Sequence, residues 1–136
     1  MVGYDGSDFA RRALEYAAER ARPGGRLVAV HAYDAPADWL GAPFYGQALA
    51  EHQLRGRELL SQLEQQAPPD VELETDLLEG SPAEALVRAA HAHGASEIVL
   101  GSRGRGRFRA ALGSVSHALL HEADLPVVVV PGAPRD

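Results

Sequence analysis

The residues with the most chemical potential lie between Ser96 and Ser116, SEIVLGSRGRGRFRAALGSVS. An apolar run, Ile98-Val99-Leu100, gives way to glycines at 101, 104 and 106. The stretch closes on Gly113-Ser114-Val115-Ser116, where a helical pattern starts with Val115, Ala118 and Leu119. Strand, glycine loop and helix start is how a chain offers bare backbone N–H groups to an anion. Glycine lets the backbone approach closely, and a serine at a helix start can cap it or meet a phosphate oxygen. Charge points the same way. No Asp or Glu occurs from Ile98 to His121, whereas Arg103, Arg105, Arg107 and Arg109 alternate through the loop of a chain carrying −6. A positive island in an acidic protein predicts an acidic ligand.

Other residues able to do chemistry are few. Asp5 follows the short run Met1-Val2-Gly3-Tyr4. An Asp after a strand often only caps a helix, but Ser7 is the better-placed cap here, which tilts Asp5 toward a ligand. His31 follows a second apolar run, and a structural role for it outweighs a role as a base. His117 and His121 are four apart on one helix face and could bind a metal. With no third ligand evident, they read as surface histidines. His91 and His93 fall at a helix end, where a cation suits the dipole. The glycines are not the dinucleotide fingerprint, because Gly104-x-Gly106 is followed at the third position by Arg109.

Composition narrows the chemistry. The 136 residues suffice for one domain, 1–136, with a real core. There is no cysteine, which removes disulfides, thiolate metal sites and cysteine nucleophiles. There is no lysine either; all 13 basic residues are arginine. A Walker A loop, a Schiff-base enzyme and a phospho-receiver domain all need a lysine. No apolar run reaches membrane-span length and no signal-peptide pattern opens the chain, so the expected location is the cytoplasm, away from membranes.

The elements that must position these residues alternate. After a first strand ending at Asp5, Ala10, Ala13, Leu14, Ala17, Ala18 and Ala21 form one helical face, stopped by Pro23-Gly24-Gly25. Leu27-Val28-Ala29-Val30 is apolar throughout, as in a parallel strand covered on both faces. Residues 34–45 are irregular and hold Trp39, Phe44 and Tyr45, which either fold back over a core edge or form a ligand lid. A second helix is expected over roughly 47–66, with Leu49, Leu54, Leu59, Leu60 and Leu63. Val71 to Thr75 alternates, so that strand should lie near an edge. Ser81-Pro82-Ala83-Glu84 is a helix start, with Ser as cap, Pro at the first position and Glu at the third. That helix closes at Gly94. A strand at 97–101, a helix near 114–123 and the strand Val127-Val128-Val129-Val130 complete a β-α-β-α-β-α-β-α-β order. Such alternation predicts an α/β fold with an open parallel sheet and helices on both faces. Four valines at a sheet edge would be bare in a monomer, and pairing with a second copy through Val127–Val130 would cover them.

Asp5-Gly6-Ser7, His31-Ala32, Gly101-Ser102-Arg103-Gly104 leading to Gly113-Ser114, and the ending LLHEADLPVVVVP together resemble the universal stress protein family over nearly the whole chain. The resemblance implies a single-domain, three-layer, five-stranded parallel sheet in order 3-2-1-4-5, of the adenine-nucleotide α-hydrolase-like, Rossmann-like kind. It also implies a homodimer paired through the last strand. The family's ATP-binding branch carries Gly-x2-Gly-x9-Gly-Ser/Thr. Here Gly101-x2-Gly104 fits, but eight residues separate Gly104 from Gly113, one short of that pattern. By resemblance, Asp5 would accept from ribose hydroxyls. Gly3 and Ala32 would line the adenine, Ala32 through its backbone. Gly101, Ser102 and Gly104 would take the phosphates together with Gly113, Ser114, Val115 and Ser116. Arg103 and Arg105 would clamp the γ-phosphate side, whereas Arg107 and Arg109 read as solvated. Mg²⁺ or Mn²⁺ would ride on the ATP phosphates rather than on a protein site.

The leading expectation is an ATP-binding, dimeric stress-response regulator acting through unknown protein partners. The alternative is a slow ATP hydrolase or nucleotidyl-transfer enzyme on the same fold, for which Asp5 and His31 are the only candidate bases. RNA binding through RGRGRFR is disfavoured, because the segment is short and held between a strand and a helix in an acidic chain.

Overall fold

The computed structural model describes residues 1–103 and 112–132. Its elements in chain order are β1 (Val2–Gly3), α1 (Asp8–Ala21), β2 (Arg26–Tyr33), α2 (Phe44–Gln66), β3 (Glu72–Glu79), α3 (Pro82–His93), β4 (Ile98–Gly101), α4 (Ser114–Glu122) and β5 (Val127–Val130), with a 3₁₀ turn at Asp38–Leu40. The strands form one parallel sheet in the order β3-β2-β1-β4-β5, as the resemblance implied.

The apolar strands are explained by two covered faces. Along β2, Leu27 and Ala29 join a cluster with Ala10, Ala13, Ala17 and Leu60, while Val28 and Val30 join another with Leu86, Ala89, Ala90 and Leu119. Thus α1 and α2 cover one face, and α3 and α4 the other. Alternate residues of β4 obey the same rule: Val99 meets the first layer, Ile98 and Leu100 the second. A strand buried on both faces has no polar positions to spare. The alanine face of α1 lets that helix lie close to the centre of the sheet.

Two glycines are dictated by close approach. A Cβ on Gly101 would sit 2.6 Å from Cβ of Phe9 and 2.7 Å from its carbonyl carbon, so the end of β4 lies directly under the first turn of α1. Gly56 is buried in the middle of α2, where a Cβ would come 2.5 Å from Cδ1 of Leu77 and 3.2 Å from Cδ2 of His31. A mid-helix glycine costs roughly 1 kcal/mol in propensity, so its presence marks a helix that must press close to β2 and β3.

Several local expectations are corrected. The second helix begins at Phe44 rather than at 47, and its buried residues are Gly56, Leu60 and Leu63. Leu54 is 55% exposed, because Gly56 and not Leu54 faces the sheet. Trp39 and Phe44 do not fold back over the core; they are 84% and 62% exposed. Phe44 opens α2 and points outward from its first turn. The third strand does not stop at Thr75 but pairs with β2 residue by residue from Arg26↔Glu72 to Tyr33↔Glu79. It is an edge, as its alternation predicted. Ser81 does take the cap position before Pro82, but its hydroxyl makes no capping hydrogen bond. Gly94 ends α3 in the left-handed conformation, at φ 62°.

Candidate functional site

In a sheet of order 3-2-1-4-5 the chain leaves β1 and β4 toward opposite faces, and the crevice beyond their carboxyl ends is where open α/β sheets bind ligands. A cavity of about 580 Å³ lies there, within the range of small-molecule sites. It gathers residues far apart in the chain: Gly3 and Asp5 at and after the end of β1, His31 and Ala32 from β2, Gly101 and Arg103 at and after the end of β4, and Gly113 to Ser116 at the start of α4. Val30, Leu86, Leu100 and Pro82 complete an apolar wall.

The two helix starts beside the cavity differ. At α1, the Ser7 hydroxyl accepts from the Ala10 N–H at 3.1 Å, which is the expected cap. The Asp5 carboxylate accepts from the Ser7 N–H at 2.9 Å through Oδ1. Its Oδ2 has no partner among the described residues. Asp5 therefore both holds the turn and lines the cavity, so the capping and ligand readings of this residue are compatible. At α4, Gly113 occupies the cap position with no side-chain capping bond and no acidic residue in the first turn. The first N–H groups of a helix have no acceptor within it. Those of Ser114, Val115 and Ser116 have no acceptor among the described residues and lie beside the cavity.

The end of β4 is joined to its neighbours by a short relay. The Ser102 N–H donates to the Val130 carbonyl at 2.9 Å, and the Gly113 N–H donates to the Ser102 carbonyl at 2.6 Å. Ser116, 1% exposed, donates its hydroxyl to the Gly101 carbonyl at 3.1 Å. These bonds engage two of the expected site residues. Ser102 does not line the cavity; it ties β5 and α4 to β4. The Ser116 hydroxyl is already used to hold α4 down, which leaves Ser114 as the exposed serine of that turn. Gly3, Asp5, Ala32, Gly101, Arg103, Gly113, Ser114, Val115 and Ser116 are brought together as expected. Gly104 and Arg105, with Arg107 and Arg109, lie outside the described residues.

His31 is fixed by its Nδ1, which donates to the Tyr4 carbonyl at 2.8 Å. A carbonyl can only accept, so Nδ1 carries the proton. Sequence reasoning missed the apolar wall. The signal was present in β2 and β4, whose residues facing α3 and α4 run out toward the carboxyl ends of the strands, but the contribution of α3 through Pro82 and Leu86 needed the strand order.

A doubly wound α/β domain with its cavity at the switch point is the class that fold and site define. Residues 1–131 match the universal stress protein family. A universal stress protein of Thermus aquaticus, encoded beside a QAH/OAS sulfhydrylase gene, is 41% identical over 96% of both chains. This chain therefore belongs to the universal stress protein family. A Mycobacterium tuberculosis universal stress protein is 36% identical over 95% of this chain, which spans only 44% of that longer relative. Among solved structures, UspA from Lactobacillus plantarum superposes with a TM-score of 0.81 at 25% identity, covering 95% of each chain. A universal stress protein from Archaeoglobus fulgidus in complex with dAMP superposes with a TM-score of 0.59 at 25% identity, over 94% of this chain and 93% of that one. No described helix is long and apolar enough to cross a membrane.

Proposed function

We propose that this protein is an ATP-binding, nucleotide-dependent regulator of the stress response and works as a homodimer paired through β5. The observation that carries the reading is the polarity of one cavity: an apolar wall at β2 and α3, a carboxylate oxygen at Asp5, and the open start of α4. A base, a sugar and a phosphate chain need these three environments in that order. The dAMP complex of the Archaeoglobus relative supports an adenine nucleotide as the ligand class.

In this reading the adenine lies against the apolar wall near Gly3 and the Ala32 backbone. Asp5 accepts from the ribose hydroxyls through Oδ2. The N–H groups of Ser114, Val115 and Ser116, with Gly113 and the Ser114 hydroxyl, receive the phosphates. Gly101 forms the floor beneath them, Arg103 neutralises the far phosphates, and Gly104 and Arg105 complete the loop. Mg²⁺ or Mn²⁺ is held through phosphate oxygens.

Native mass spectrometry of gently purified protein, followed by ATP titration, tests this directly. An adenine nucleotide carried through purification, or saturable binding, is expected. Asp5→Ala removes charge-assisted hydrogen bonds of about 1.5–3 kcal/mol, so affinity should fall by about tenfold or more. A folded protein that takes up no ATP overturns the reading. Sedimentation as a clean monomer at micromolar concentration overturns the dimer.

One observation keeps an enzymatic reading alongside: His31 is oriented by a carbonyl inside the same cavity. Steady ATP turnover that survives stringent purification and falls on His31→Ala would favour a slow hydrolase or nucleotidyl transferase.

A further inference from the structure

The chain has six histidines, and the structure commits four of them. Nδ1 of His31 meets the Tyr4 carbonyl at 2.8 Å, and Nδ1 of His52 meets the Asp34 carbonyl at 3.0 Å. Nε2 of His91 meets Oδ1 of Asp124 at 2.8 Å, a bond that holds the Asp124 carboxyl below the usual carboxylate range. Nε2 of His93 meets Oδ2 of Asp76 at 3.0 Å, while the Arg26 guanidinium lies 3.1 Å from its Nδ1. Only His117 and His121 make no hydrogen bond among the described residues. Both are exposed on α4, one turn apart, and their contact is with each other: ring centroids 5.0 Å apart, planes at 69°.

We propose that His117 and His121 form a two-nitrogen chelate for a divalent transition ion of the Zn(II), Ni(II) or Cu(II) kind on the exposed face of α4. Histidines at i and i+4 lie on one helix face at a separation that a single metal ion can bridge. Neutral imidazole is a preferred ligand of these ions and a poor one for Mg²⁺. Among the described residues neither ring must give up a hydrogen-bond partner to bind. His121 also lies in the last turn of α4, where the carbonyl end of the helix favours a positive charge. No cysteine competes anywhere in the chain. Among the described residues no third protein ligand joins the pair. In the proposed site water fills the remaining positions of the ion, and the bound ion stays accessible and exchangeable, unlike the closed four-ligand zinc of a structural site. The inference is independent of nucleotide binding, since it uses residues outside the cavity.

Calorimetric titration of the untagged full chain with Zn²⁺ or Ni²⁺, without nucleotide and above the ordinary imidazole pKa, tests the proposal. One ion per chain is expected to bind, with no signal from Mg²⁺. His117→Ala and His121→Ala should each abolish saturable binding as fully as the double variant, because a chelate that loses one arm is no longer a chelate. His52→Ala should leave binding unchanged. Both rings are exposed, so the variants should keep the wild-type melting temperature. The ring resonances of His117 and His121 should shift together on adding Zn²⁺ and return as the pH is lowered, since protons compete for the same nitrogens. Saturable binding that persists in the double variant, ring shifts at only one of the two residues, or no saturable binding at all would each overturn the assignment.

Discussion

The starts of α1 and α4 stand on either side of the same cavity, and the chain finishes them in opposite ways. At α1 the donors are answered from within: Ser7 takes the Ala10 N–H, Asp5 takes the Ser7 N–H, and Asp8 adds an acidic group to the first turn. At α4 the cap is Gly113, no side chain reaches back, and no acid occupies the first turn. The hydroxyl of Ser116, in the same turn, is drawn the other way to the Gly101 carbonyl. A helix start that is self-satisfied repels an anion, whereas one left open invites it. In the proposed reading the nucleotide lies with its phosphates toward α4 and its sugar toward Asp5.

That contrast can be broken or sharpened by substitution. The largest effect is expected where the two helices share a support. Gly101→Val places side-chain atoms into Phe9 of α1, so urea denaturation should show a loss of roughly 1–3 kcal/mol, as for other overpacked sites. Ser7→Ala should cost about 1 kcal/mol as a lost cap, while Ser114→Ala, which removes no capping bond, should leave the denaturation midpoint where it was. Equal losses at both positions would erase the distinction between the two starts. Ser114→Asp should raise stability by about 0.5 kcal/mol, since a carboxylate complements the α4 dipole. The same variant should lose ATP binding, because the new charge occupies the place of the phosphates. Opposite signs in the two measurements are the signature of an anion site at α4; a variant that binds ATP as well as the wild type would move that site elsewhere.

The chain alone revealed what local chemistry controls. The β-α alternation, the Ser7 cap, the Gly94 stop and the edge character of β3 follow from residue type and period, and each recurs in the structure. The strand order came from family likeness, and with it came the meeting of Asp5 with Gly113 and Ser114, 108 and more positions apart in sequence. What local pattern could not show depends on which neighbour a residue meets. Leu54 fits a helical stripe, yet the sheet is approached through Gly56, so the leucine is left outside. Ser102 and Ser116 have the types of phosphate ligands, and the sequence does not show that the Ser102 N–H pairs with the Val130 carbonyl or that the Ser116 hydroxyl meets the Gly101 carbonyl. Gly101 reads as a loop glycine for an anion, and its Cβ-sized gap proves to be filled by Phe9. The apolar wall of the cavity was hidden for a different reason: Val30, Leu86 and Leu100 are indistinguishable in sequence from ordinary core residues.

Gly56 has a reach beyond its own helix. It sets the spacing between α2 and the ring of His31, a residue that lines the cavity. A single methyl group at position 56 would have to displace Leu77 or shift α2 outward, and it would press on the His31 ring as well. Position 56, which does not itself line the cavity, thus bears on a residue that does. Relatives that share every cavity-lining residue could still differ in what they accept through this one hidden spacer.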